Sequence, residues 1–209
     1  MIRAKASCAS LLICLLAAAA PAQEHPPYLP PRDVAMNYQR TQTGKSGSRV
    51  VRAYYSVRNR KLGVEILNAR TYVIMLLDEG KIQTVTPQSR SYLKMPFGFN
   101  GVTNMLPNQQ MQFAKRGIDQ VAGLARTVWD MQGTQIRGQA CITGDGVILY
   151  GAGEEDTRGG GAIRARMVQY GAQPDSLFTP PKGYKIIEGR QAPSGATGSI
   201  LGAGPDAPR

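Results

Sequence analysis

Apolar and polar positions alternate in short runs along most of this chain. RVVRAYYSV, KLGVEIL, TYVIMLL, KIQTV, SYLKMP, ARTVWDMQ, QIRGQACIT, GVILYG and AIRARMVQY are rich in β-branched and aromatic residues. Between them lie the turn clusters TGKSGS, DEGK, QGTQ, TGDG and EEDTRGGG. Short strands joined by such clusters predict an antiparallel, mostly β domain. Helical periodicity is nearly absent, and only GVTNML and PDSLF are expected to make a turn or two of helix, near residues 101–106 and 174–178. No long internal period points to a propeller or solenoid.

The run around Cys141 is specific enough to predict a register. With Gly133-Thr134 as a two-residue turn, one face pairs Trp129 with Gly138, Met131 with Ile136, Thr127 with Ala140 and Ala125 with Ile142. The other pairs Asp130 with Arg137, Val128 with Gln139 and Arg126 with Cys141. The first face is apolar, with an indole covering a bare glycine, and the second is polar.

The ends of the chain read differently. MIRAKASCASLLICLLAAAAPAQ carries Arg3 and Lys5 before an apolar run and then a small-x-small site, so residues 1–22 are expected to be a signal peptide cut after Ala22. The run is shorter than a membrane-spanning helix requires. Neither Cys8 nor Cys14 stands where lipid attachment would need it. Residues 23–32 form a proline-rich, extended lead-in. Residues 33–188 are one β domain of ordinary size, and residues 189–209, built of Gly, Pro and Ala, are a disordered tail.

Charge adds a preference for acidic surroundings. The formal net charge is +11, and loss of Arg3 and Lys5 with the leader leaves +9. Exported, such a chain meets anionic lipid and not nucleic acid. The excess is concentrated in residues 23–96, so a basic face is expected from the amino-terminal half. Ordinary solubility is the other reading of the same charge.

Most candidate chemistry dissolves on inspection. Gly44-Lys45-Ser46 lacks the earlier glycine of a phosphate-binding loop and sits between two strand arms, as a hairpin turn. Ser91 and Lys94 are three apart in a strand and point to opposite faces, so they cannot work as a serine–lysine pair. Glu154-Glu155-Asp156 lacks the alternating spacing of a calcium loop and reads as a hairpin tip. The single histidine, His25, is in the lead-in. No zinc set, Cys-His pair or Ser-His-Asp triad can be assembled, and no cofactor is implied. Glu65, Asp119 and Asp130 leave carboxylate catalysis open only in arithmetic. The expectation is therefore a non-enzyme. Met36, Met75, Met95, Met105, Met111, Met131 and Met167 are scattered over most strands, as core filling or as soft lining for a greasy ligand.

The order of segments resembles a family of known sequence. TYVIMLLDEGKIQTV, the strand ending YLKMP, AGLARTVWDMQ, GQACITGDGVIL and PDSLFTPPKGY resemble the domain-of-unknown-function family numbered 4412, a LolA-like group. The likeness covers residues 34–187. Its most specific parts are A-G-x-x-x-T-V-W, A-C-I-T-x-D-G-V and the ending from Phe178 to Tyr184. The resemblance implies a periplasmic protein with an antiparallel sheet curved into an incomplete barrel, and a concave face for acyl chains. It also implies a cysteine before T-V-W bonded to the one in A-C-I-T; this chain has Arg126 there. Cys141 then stands as the remaining half of a lost staple, or as a reactive thiol. The long amphipathic amino-terminal helix of LolA is missing as well.

Two functions follow as expectations. One is a binding protein that holds an apolar or acyl-chain ligand, lined by Tyr38, Tyr55, Trp129, Met131, Ile136 and Ile142. The other is an envelope structural or interaction protein with a packed core, its basic surface meeting anionic lipid or a protein partner. Either requires export: the intact mass of the protein recovered from a periplasmic extract is expected to begin at Gln23 without lipid, and a diacylated product would contradict it.

Overall fold

The computed structural model describes residues 24–97, 107–121, 124–134, 136–155 and 159–188. They form a single twelve-stranded sheet, antiparallel except at one edge. The first meander comprises β1 (Val34–Gln42), β2 (Arg49–Ser56), β3 (Lys61–Ile66), β4 (Tyr72–Leu76), β5 (Lys81–Thr86) and β6 (Ser91–Pro96). The second comprises β7 (Gln112–Val121), β8 (Leu124–Gln132), β9 (Ile136–Thr143), β10 (Ile148–Glu155) and β11 (Gly159–Tyr170). β1 pairs with β11 and fuses the two, while β12 (Lys185–Glu188) adds in parallel beside β6. β12 and β7 remain as edges, so the barrel is incomplete.

Alternation along the strands assigns the faces. Val34, Met36 and Tyr38 of β1, Val51, Ala53 and Tyr55 of β2, Leu62 and Ile66 of β3, Val73 and Met75 of β4 and Ile82 of β5 share one buried cluster. Val147 and Leu149 join it from around β10. This is the inner face. Fully burying side chains of this size contributes roughly 1.5–3 kcal/mol each, which makes the inner face the main stabilising surface. A second inner cluster gathers Met111, Phe113, Trp129, Ala140 and Ile142, flanked by Tyr28, Met131, Ile136 and Ile148.

The hairpin of β8 and β9 corrects the predicted register by two residues. Trp129 lies opposite Ala140, Met131 opposite Gly138, Val128 opposite Cys141 and Arg126 opposite Thr143. Gly133 donates its N–H to the Ile136 carbonyl at 2.8 Å, so the turn falls one residue later than Gly133-Thr134. A shift of two leaves every side chain on its own face, and face burial alone cannot distinguish the two registers. Trp129 is still interior. Gly138 answers to a different neighbour: it pairs with Gly153 of β10, and a Cβ there would overlap the Ala152 carbonyl oxygen. Its bareness serves close approach to β10 and not cover by the indole.

Three strand arms escape or exceed the predicted pattern. β7 (QFAKRGIDQV) is an edge with a bulge between Lys115 and Gly117, and edge strands carry charge and glycine without penalty. β12 is only four residues long. For β1 the sequence predicts only the stretch around Asn37–Gln39, as the arm of the Gly44-Lys45-Ser46 hairpin, a turn the structure contains. The helix expected at residues 101–106 lies outside the described residues. That near 174–178 is a 3-10 turn at Asp175–Phe178.

The two ends of the described chain lie against the sheet on opposite sides. The carboxy-terminal segment lies on the outer face of β3 to β6. Phe178 is buried, Lys61 Nζ donates to its carbonyl at 3.4 Å, and Arg58 and Asn59 hold Asp175. Gly63 admits this segment, since a Cβ there would stand 2.9 Å from the Leu177 carbonyl oxygen. Tyr184 covers an outer cluster of Ile74, Leu76 and Val85.

The lead-in lies on the inner side. Pro26 is fully buried, Tyr28 packs on the second inner cluster and Leu29 on the first. Glu24 pairs with Lys115 at 2.9 Å and Arg32 with Asp145 at 3.1 Å. Ion pairs at such exposure contribute about 0–1 kcal/mol, so apolar burial anchors the segment and the pairs set its position. Asp145 is the more elaborate clip: it also accepts from Tyr170 at 2.7 Å and Thr143 at 2.5 Å, and Arg32 lies 3.7 Å over the Tyr170 ring. Desolvation pushes the Asp145 carboxyl up, and the bonds from Thr143, Tyr170 and Arg32 more than offset it, holding the group below the ordinary carboxylate range.

Two outcomes follow from this geometry. Alternation outward from the Gly133–Ile136 bond makes Val128 and Cys141 a non-hydrogen-bonded pair, with Cα atoms about 4.5 Å apart and within disulfide reach. Under oxidising conditions Val128→Cys is expected to bridge to Cys141 and raise stability by about 2–3 kcal/mol in denaturant titration, whereas Arg126→Cys stays reduced; the reverse result restores the register read from sequence.

A carboxyl with a depressed folded pKa stabilises above its unfolded value of about 3.9, and that stabilisation is lost as pH falls through the folded pKa. Asp145→Asn should therefore lower stability in denaturant titration at neutral pH, and the difference from the native protein should close as pH drops below about 4. Equal stability of variant and native chains at pH 7 would show that the clip does not hold the segment.

Candidate functional site

The candidate lining residues are all on the inner side, in two groups. Tyr38 and Tyr55 belong to the larger cluster. Trp129, Met131, Ile136 and Ile142 belong to the smaller one. The groups meet where the Tyr38 hydroxyl donates to the Ile148 carbonyl at 2.9 Å, because Ile148 packs on the smaller cluster. Burial raises the pKa of both Tyr38 and Tyr55, so the phenols stay neutral and act as hydrogen-bonding apolar bodies.

The lead-in spans the junction of the two groups. Its aromatic residues continue those of the sheet: His25 stacks on Tyr28 at 4.6 Å, Tyr28 meets Phe113 at 6.2 Å, and Phe113 meets Trp129 edge-on at 6.3 Å. The surface that sequence reasoning assigned to a ligand thus holds an extended segment of the chain itself. Sequence reasoning missed Tyr28, Leu29 and Phe113, and named Met111 only among the scattered methionines. The first two lie in a segment set outside the domain for its prolines. The other two alternate with polar residues in Met111-Gln112-Phe113, a strand signal that the charges after it obscured.

Cys141 is a buried thiol, not a disulfide, and lies between Val128 and Tyr150 across the neighbouring strands. Arg126, the expected facing residue, is opposite Thr143. Ser91 and Lys94 diverge: Ser91 Oγ meets Ser89 Oγ at 2.7 Å, and Lys94 pairs with Glu79 at 2.8 Å. Among the described residues no three His, Cys, Asp or Glu gather as a metal-binding group.

A cleft of about 630 Å³ opens away from all six candidate residues, at the ends of β1, β9, β10 and β11. Its floor is Gly138, Gly153, Gly160 and Gly161, with Thr41, Arg137 and Glu154 around it. Such a floor offers peptide groups and few side chains to a ligand.

Of the twelve basic residues in 23–96, half are paired and others, such as Arg40 opposite Arg49, face one another. Arg32, Arg52, Arg58, Arg60, Lys81 and Lys94 are each within ion-pair distance of a carboxylate. Asp145 and Asp175, remote in sequence, supply two of these partners, and Glu65, Asp78 and Glu79 supply the others from within the same half.

No family model matches the chain, and no curated protein matches it. The likeness to family 4412 therefore rests on the sequence segments that carry it. Among solved structures, the fold is similar to an uncharacterized conserved protein from Thermus thermophilus, with a TM-score of 0.53, 10% identity, and coverage of 75% of this chain and 90% of that one. Looser similarity extends to the MucA/MucB complex of Pseudomonas aeruginosa (TM-score 0.44, 13% identity, 69% of this chain and 54% of that one). It extends also to a putative outer membrane lipoprotein-sorting protein domain from Vibrio parahaemolyticus (TM-score 0.41, 10% identity, 70% and 89%). What is shared with the Thermus thermophilus protein at this identity is the fold alone.

Proposed function

We propose that this protein is a non-enzymatic binding protein of the cell envelope whose inner face holds an apolar or acyl-chain ligand. The observation that carries the reading is the lead-in itself. An extended run containing Pro26, Tyr28 and Leu29 is accommodated along the junction of the two inner clusters, between Phe113, Trp129 and the large cluster. A surface that accepts that segment has the length, polarity and aromatic lining for an alkyl chain of similar girth. The neutral Tyr38 hydroxyl, already satisfied by Ile148, adds no charge to repel it. The leader read from residues 1–22 supports the compartment.

The reading is tested on protein purified without detergent. Native mass spectrometry is expected to show co-purifying lipid. Tyr28→Ser combined with Leu29→Ser should raise the binding of a hydrophobic dye several-fold, with long-chain lipid competing for it. Protein that is empty, and whose dye binding the double variant leaves unchanged, is instead an envelope structural or interaction protein with a packed inner core.

A further inference from the structure

The outer face is covered only in part. The carboxy-terminal segment lies over β3 to β6, through Gly63, Phe178 and Tyr184. Among the described residues that segment leaves the strip formed by β10, β11, β1 and β2 uncovered. Pairing across the strip places Tyr150, Arg164, Gln39 and Val50 in one row. Leu67 follows, since its N–H donates to the Val50 carbonyl at 2.9 Å.

The bulge in β11 makes the strip more apolar beside its arginines. Asn37 pairs with Met167 and Tyr38 with Ala165, which leaves Arg166 as the extra residue. A bulge re-aims side chains. Here Arg166 turns outward to Gln39, and Met167, facing Asn37, joins Arg164 and Arg166 on the outer side instead of pointing into the core. Val50, Met167 and Leu67 are 40%, 42% and 43% exposed. Among the described residues Arg164 contacts the Tyr150 ring, 5.0 Å from its centroid, and Arg166 contacts the Gln39 amide oxygen. Among the described residues neither charge is within ion-pair distance of a carboxylate, unlike Arg52, Arg58, Arg60 and Lys94.

From this arrangement we infer that the open strip is a docking surface for an anionic phospholipid bilayer. The strip is a sheet face and not a cleft, so it suits a planar occupant. Two guanidiniums without a carboxylate partner among the described residues suit phosphate headgroups, and three exposed apolar side chains, with Tyr150 at the end of the row, suit the boundary beneath those headgroups. The general excess of 25 basic over 14 acidic residues favours approach to the same surface. This surface lies opposite the inner face, so docking and ligand binding are independent of one another.

Co-sedimentation of the full mature chain with vesicles tests the inference. Binding is expected to vesicles of phosphatidylcholine mixed equally with phosphatidylglycerol, to be much weaker with phosphatidylcholine alone, and to fall as salt is added. Arg164→Gln with Arg166→Gln should lower partitioning on the order of thirtyfold, the effect of two arginines at an anionic surface. Arg164→Lys with Arg166→Lys should retain most of it. Arg58→Gln with Lys182→Gln, which removes the same charge from the covered part of the outer face, should change it little. The inference is overturned if the native protein ignores both vesicle types, binds them equally, or loses as much with the Arg58 and Lys182 pair as with the Arg164 and Arg166 pair. An acidic protein captured by the strip in place of vesicles would likewise overturn it.

Discussion

The pairing of β1 with β11 is the constraint on which the molecule depends. Each meander can form from local hairpins, but neither alone makes this inner face. Nine residues of β1, Val34 to Gln42, align with Gly161 to Tyr170, more than a hundred positions away. That contact brings Met36 and Tyr38 against Val147 and Leu149, so the large cluster belongs to both halves of the chain. Its formation closes a long loop, and the cost of closure is repaid only when the apolar inner rows meet.

Once the sheet exists, its two faces are completed by the two ends of the described chain. The lead-in supplies Pro26, Tyr28 and Leu29 to the inner side, and the carboxy-terminal segment supplies Phe178 and Tyr184 to the outer side. Neither segment belongs to a hairpin, and their hydrogen bonding differs accordingly. Asp33 accepts from Val57 through its side chain and from Gly171 through its carbonyl, tying the lead-in to both meanders beside the β1–β11 seam. The same seam carries the bulge that turns Met167 outward beside Arg164 and Arg166, so inner packing and outer surface chemistry are set by one stretch of pairing.

The distribution of charge follows from that topology as well. Composition by halves assigns the basic excess to residues 23–96, yet six of those cations are within ion-pair distance of a carboxylate, and for Arg32 and Arg58 that carboxylate comes from a strand or turn remote in the chain. Net charge is additive along a sequence. A charged face is not, because it depends on which strands become neighbours.

By itself the sequence determined the strand-rich class, most hairpin turns, the two-sided alternation around Trp129 and Cys141, and the inward position of Trp129. These are local properties: a period of two and the turn residues are written within a dozen positions. It also excluded the phosphate-loop and serine–lysine readings by spacing alone. Tertiary structure decided the rest. The β8–β9 register moved by two because a shift of that size changes no face, and the choice fell to the turn at Gly133 and to the backbone of β10 against Gly138. The lead-in joined the candidate site because prolines that forbid a helix do not forbid burial of an extended segment. The separation of Tyr38 and Tyr55 from Trp129 and Ile142, and the partner that faces Cys141, were settled by contacts between strands far apart in the chain, for which a local pattern holds no signal.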